Sequence, residues 1–138
     1  MLYAIAYFAS LVPFCLLDAV WLTVMGKALY KPTLGDILLT NVNLPAAIAF
    51  YLMFPIGILV FGVLPGLKAG SVSPAIIYGA LFGALAYATY DLTNYATLRN
   101  WTLLIAVLDI AWGALASATA AAVAYYATKA MSRWLAIS

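Results

Sequence analysis

Long apolar runs separated by short polar clusters organise this chain. Four of the runs approach the ~20 residues that an α-helix needs to cross a bilayer. They predict transmembrane helices at about 3–25, 44–65, 73–97 and 101–128. Polar clusters mark the helix starts. Asn43-Leu44-Pro45 and Ser73-Pro74 each place a capping side chain ahead of an early proline, and Asn100-Trp101 reads as the cap of the fourth helix. Helices three and four are then so close in sequence that they must form a tight antiparallel hairpin. Pro13 and Pro55 fall inside helices one and two, where each removes a backbone hydrogen bond and is expected to bend the helix. The stretch 26–43 reads as the longest loop, and 129–138 as a short basic tail continuing helix four along the headgroups. The first apolar run lacks a basic leader and is too long for a signal-peptide core, so it reads as a retained helix.

Composition agrees with the pattern. Of 138 residues, 68% are hydrophobic and 7% charged, and the mean hydropathy is +1.10. Soluble domains are about 45–50% apolar and about 25% charged. The expected fold class is therefore all-α, a single four-helix integral membrane domain over residues 1–138. Histidine is absent and Cys15 is the lone cysteine. That excludes a disulfide framework, a Cys/His metal cluster, histidine-ligated haem and a Ser-His-Asp enzyme. No cofactor and no metal are expected. The net charge of +2 is spread thinly, which argues against nucleic acid as a partner. With the N-terminal side called side A, alternating helices put Lys68, Lys129 and Arg133 on side A and Lys27, Lys31 and Arg99 on side B. The positive-inside rule is evenly balanced; the compact basic tail, with Asp36 opposite, tips side A and both termini towards the cytoplasm.

The polar residues inside the apolar runs carry the chemistry. A carboxylate at the centre of a membrane helix costs roughly 2.5–3.5 kcal/mol on insertion scales, so it needs a partner, a proton or a purpose. Asp18 and Asp109 each lie ~12 Å from side B, and Asp91 about 9 Å, at 1.5 Å per residue. Three helices thus bring a carboxyl to one level of one leaflet. Thr89, Asn94, Asn43 and Arg99 share that half. Leu17-Asp18-Ala19-Val20-Trp21 and Leu108-Asp109-Ile110-Ala111-Trp112 repeat one pattern, with each tryptophan on its aspartate's face at i,i+3. Gly83, Tyr87, Asp91 and Asn94 make one stripe of helix three. The expectation is a polar pocket open to side B, built from Asp18, Trp21, Asn43, Tyr87, Asp91, Asn94, Arg99, Asp109 and Trp112, for an amphipathic or cationic molecule. The alternative is that these groups only hydrogen-bond across the bundle and fix its register, at about 0.6–2 kcal/mol per bond. Three acids at one level repel if ionised, so two of them are expected to share protons or to pair with Arg99. Gly79 and Gly83 on helix three, and Gly113, Ser117 and Ala121 on helix four, offer small-residue faces for close packing, expected within the chain rather than between copies.

Leu-Asp-Ala-Val-Trp, Tyr-Asp-Leu-Thr-Asn at 90–94, Ala-Thr-Leu-Arg at 96–99 and Leu-Asp-Ile-Ala-Trp-Gly at 108–113 resemble the motifs of the bacterial membrane-protein family known as domain of unknown function 2177, from about residue 3 to 128. The resemblance implies a multi-pass protein of the bacterial inner membrane and a setting in membrane-lipid modification or stress response. It implies no activity. Three functions compete. The pocket could hold a lipid headgroup or small amphiphile, membrane lipids being the partners. The chain could be a small proton-coupled transporter or channel acting as a homodimer, though its polar residues crowd one leaflet. It could also be a structural subunit of a larger membrane complex. No nucleophile or nucleotide motif supports independent catalysis.

Overall fold

The computed structural model describes residues 1–135. Four helices are long and apolar enough to cross a membrane: α1 (Leu2–Ile37), α2 (Leu44–Ala69), α3 (Val72–Thr97) and α4 (Leu103–Trp134). The described residues contain no strand. The all-helical four-span architecture is thus as the hydropathy pattern predicts. The tail expected over 129–138 is helical through Trp134 as part of α4, and its last residues, 136–138, lie outside the described residues.

The helix ends differ from expectation in three places. The stretch 26–43 is not mainly loop. α1 continues through a π-helical turn at Gly26–Tyr30, a turn of α-helix at Lys31–Leu34 and a 3-10 turn at Gly35–Ile37. Gly26 takes ordinary helical angles, and the wide turn ends next to the residue before Pro32, Lys31, whose N–H bonds back to the Gly26 carbonyl. A second π turn, Leu59–Val63, precedes Pro65 in the same way, with the Leu64 N–H on the Leu59 carbonyl. A proline ring clashes with the carbonyl four residues before it, and a turn one residue wider relieves that clash without ending the helix. The caps also move. Asn43 does cap α2, accepting from the Ala46 N–H at 3.3 Å. Ser71 rather than Ser73 caps α3, and Thr102 rather than Asn100 caps α4. Gly70 closes α2 with φ 66°, the left-handed conformation that ends helices at glycine. Only Gly70 and Ser71 therefore separate α2 from α3, a tighter hairpin than the α3–α4 pair.

α4 is the centre of the bundle, packed along α3 on one side and α1 on the other. Ala116, Ala120, Ala121 and Ala124 of α4 are fully buried beside Ala6 and Phe14 of α1 and Ile58 and Val63 of α2. Lipid tails supply no hydrophobic drive between helices, so close backbone approach does the work. A Cβ on Gly79 would sit 2.9 Å from that of Ala121, and one on Gly83 would run into the Gly113 carbonyl. The small-residue faces are spent on the α3–α4 contact. The first turns of α2, from Leu44 to Met53, are mostly exposed and meet α1 alone, through Phe50 and Tyr51; α2 is buried only from Phe54 onward. The side-B half of α2 therefore stands away from α3 and α4 and leaves a gap.

Candidate functional site

The two Leu-Asp-x-x-Trp segments meet where α1 and α4 run antiparallel. Three residues of helix rise about 4.5 Å, in opposite directions on the two helices, so each tryptophan comes level with the other segment's aspartate. The indoles of Trp21 and Trp112 stack at 4.6 Å between ring centroids, with 6° between planes. Trp112 Nε1 donates to Asp18 Oδ1 at 3.0 Å. Trp21 Nε1 donates to the Tyr30 hydroxyl at 2.8 Å, and Tyr30 donates to Asp109 Oδ1. Each motif thus serves its partner's carboxyl, one directly and one through a tyrosine. Asp18 also accepts at Oδ2 from Tyr51 of α2, which ties three helices to one side chain.

Asp91 of α3 is fully buried. Its polar neighbours are Asp109 and Trp101, yet neither meets the geometry of a regular hydrogen bond, and the Trp101 indole N–H is itself buried without an acceptor. Among the described residues no three His, Cys, Asp or Glu side chains converge as a metal would need.

The gap beside α2 is a cavity of about 520 Å³, within the range of small-molecule sites. Asp18 and Asp109 form its polar floor. Trp21, Tyr30, Tyr87, Tyr90 and Trp101 make the aromatic wall, and Phe50 and Phe54 close it from α2. Leu34 and Leu38, from the end of α1 and the turn after it, cover one edge. Below it, Phe14 stacks on Phe54 at 4.7 Å, and Phe54 meets Phe82 and Tyr87. That aromatic plug separates the cavity from the side-A half.

Four of the nine residues singled out from the sequence line this cavity: Asp18, Trp21, Tyr87 and Asp109. Trp112 stands behind Asp18, and Asp91 behind Asp109. The other three are not brought in. Asn43 is exposed and caps α2, Asn94 is half-buried outside the lining, and Arg99 is exposed in the α3–α4 turn. The expected pairing with Arg99 is replaced by tyrosine and tryptophan donors. Tyr30, Tyr51, Tyr90 and Trp101 are the polar members that the sequence reading missed. Tyr30 lies in the expected loop, nine residues after Trp21, a spacing that a plain α-helix would set about half a turn away from it. Nothing in the spacing marks Tyr51.

A family model described as Predicted membrane protein (DUF2177) matches residues 3–126. No curated protein and no solved structure matches the chain significantly.

Proposed function

Since the chain belongs to the family described as Predicted membrane protein (DUF2177), a description that carries no activity, we propose from its geometry that it holds an amphiphile taken from the bilayer. The polar end would rest on the Asp18–Asp109 floor and the apolar remainder would run between α2 and the aromatic wall. One observation carries this reading: the side-B half of α2 stands off α3 and α4 and opens an aromatic cavity of about 520 Å³ over two buried carboxyls. Register alone would be served by a closed polar cluster, with no space left beside it. The floor favours holding over reacting, because Asp18 already accepts from Tyr51 and Trp112, and Asp109 from Tyr30. We place the protein as an accessory of membrane-lipid modification or stress response in a bacterial inner membrane, with side A towards the cytoplasm. A proton-coupled transporter draws on the unpartnered Asp91, but the Phe14–Phe54 plug interrupts any path to side A.

Native mass spectrometry of protein extracted in a neutral maltoside tests the proposal against Ala86→Trp, which fills the cavity from its α3 wall. Wild type is expected to retain one amphiphile per chain. The variant is expected to lose it while keeping its melting temperature within a few degrees. A wild-type protein that flies bare under conditions preserving its fold would sink the reading.

A further inference from the structure

The charge and shape of the cavity narrow what it can hold. Its lining contains no lysine or arginine. The charged neighbours of Asp109 are Asp91 and Asp18, carboxyls both. Whatever their protonation, the floor is neutral or negative and never positive. An anionic group there would lie in a water-poor site with no cation to meet it, at a desolvation cost nothing repays. Lys27, Lys31 and Arg99 lie at the cavity's own end of the bundle, but all three are exposed and outside its lining. Lys129 and Arg133 flank Gly70 and Ser71 at the opposite end.

Aromatic faces add a second and independent constraint. Trp21, Tyr87, Tyr90 and Trp101 line the cavity above the acids, with Tyr90 edge-on to Trp101 at 5.5 Å. The face of an aromatic ring is the negative end of its quadrupole, and rings gathered around a space attract a cation without needing its N–H groups. A cation rich in N–H would seek carboxyl oxygens directly, yet both Asp18 oxygens already have donors and Asp109 takes one at Oδ1, which leaves a single carboxyl oxygen of the floor for it. A quaternary ammonium asks for neither. It presents a diffuse positive charge with an apolar skin, which suits a wall of rings over an acidic floor.

Building on the amphiphile reading, we propose that the ligand of this cavity is an amphiphile with a quaternary ammonium headgroup, held by the aromatic wall over Asp18 and Asp109. The headgroup could come from a zwitterionic lipid or from a free cationic amphiphile; both present the same chemistry.

Trp21 and Trp101 report binding through their own fluorescence. The titrants are decyltrimethylammonium, its uncharged analogue with carbon in place of nitrogen, and decyl sulfonate, each corrected for partition into maltoside micelles. The cation is expected to bind about tenfold tighter than its carbon analogue, with the sulfonate weakest. Asp109→Asn and, separately, Tyr90→Leu should each lower the cation's affinity severalfold and leave the analogue's unchanged. Two variants at different walls guard against one failing to fold. Equal binding of cation and analogue would overturn the headgroup assignment while leaving an amphiphile cavity in place, as would tighter binding of the sulfonate. Binding of none of the three would remove the amphiphile reading and this inference together. Repeating the titration in nanodiscs of phosphatidylcholine and of phosphatidylglycerol identifies the source. Competition by phosphatidylcholine supports a lipid headgroup, and equal cation affinity in both supports a free amphiphile.

Discussion

Asp18 takes donors from two other helices, the Tyr51 hydroxyl of α2 and the Trp112 indole of α4, at one buried carboxyl. Such cross-helix bonds are worth about 0.6–2 kcal/mol in a membrane. Tyr51→Phe removes one donor and is expected to lower stability by about that amount, read as a fall in melting temperature in detergent. Combined with Asp18→Asn, the losses should add to less than their sum, because both changes break the same bond. Full additivity would mean that the tyrosine acts through packing alone. The glycines separate by surroundings. Gly83 has the Gly113 carbonyl and Ser117 hydroxyl against it, whereas Gly26 has nothing within 4 Å and helical angles. Gly83→Ala is expected to cost about 1–3 kcal/mol by forcing α3 from α4. Gly26→Ala should gain about 0.4–1 kcal/mol by restricting the unfolded chain. Equal melting temperatures for the two variants would contradict the close α3–α4 approach. Asp18 and Asp109 were legible in the sequence because a carboxyl in an apolar run needs an explanation. Tyr51 was not, since tyrosine is ordinary in a membrane helix and only the fold aims its hydroxyl.

At the scale of elements, the four spans were readable because hydropathy averages over many residues. The reach of α1 was not. Gly26 and Pro32 resemble loop signals, and only a wide turn reconciles Pro32 with a helix that runs on to Ile37. That turn carries Tyr30 to Asp109. A π turn holds one residue more than an α turn, so deleting Ala28 together with Pro32→Ala should restore plain α-helix and keep Tyr30 on its face. Deleting the exposed Val20 instead turns everything after it by about 100° relative to Asp18. Near-ultraviolet circular dichroism should retain the signal of the stacked Trp21–Trp112 pair in the first variant and lose it in the second. Loss in both would mean that the wide turn is needed for more than accommodating proline. The splay of α2 also escaped the sequence. Leu44–Met53 is apolar all round, and periodicity cannot tell a face turned to lipid from one turned to a cavity.

For the molecule as a whole, insertion is governed by a charge balance that is unusually even. Lys68, Lys129 and Arg133 lie at the side-A ends of the spans, and Lys27, Lys31 and Arg99 at the side-B ends. The extension of α1 puts Lys27 and Lys31 on the last turns of a 36-residue helix, which at 1.5 Å per residue exceeds the ~30 Å hydrocarbon core. Both are exposed and close enough to the span's end to count in the positive-inside rule. Removing them leaves Arg99 alone on side B, so Lys27→Ala with Lys31→Ala should move the population towards side A in the cytoplasm. With Cys15 replaced by serine, the readout is labelling of intact cells by an impermeant thiol reagent, using Asp36→Cys for side B and Ala69→Cys for side A. The double lysine variant should label at Asp36→Cys and be protected at Ala69→Cys, whatever mixture the parent shows. Persistent labelling at Ala69→Cys would mean that loop charge does not set the topology. Orientation also decides which compartment the cavity's end of the bundle faces, because Asp18, Asp109 and the free half of α2 all lie towards side B. A chain with side A in the cytoplasm presents its aromatic cavity to the outer leaflet, and any amphiphile it holds is drawn from there.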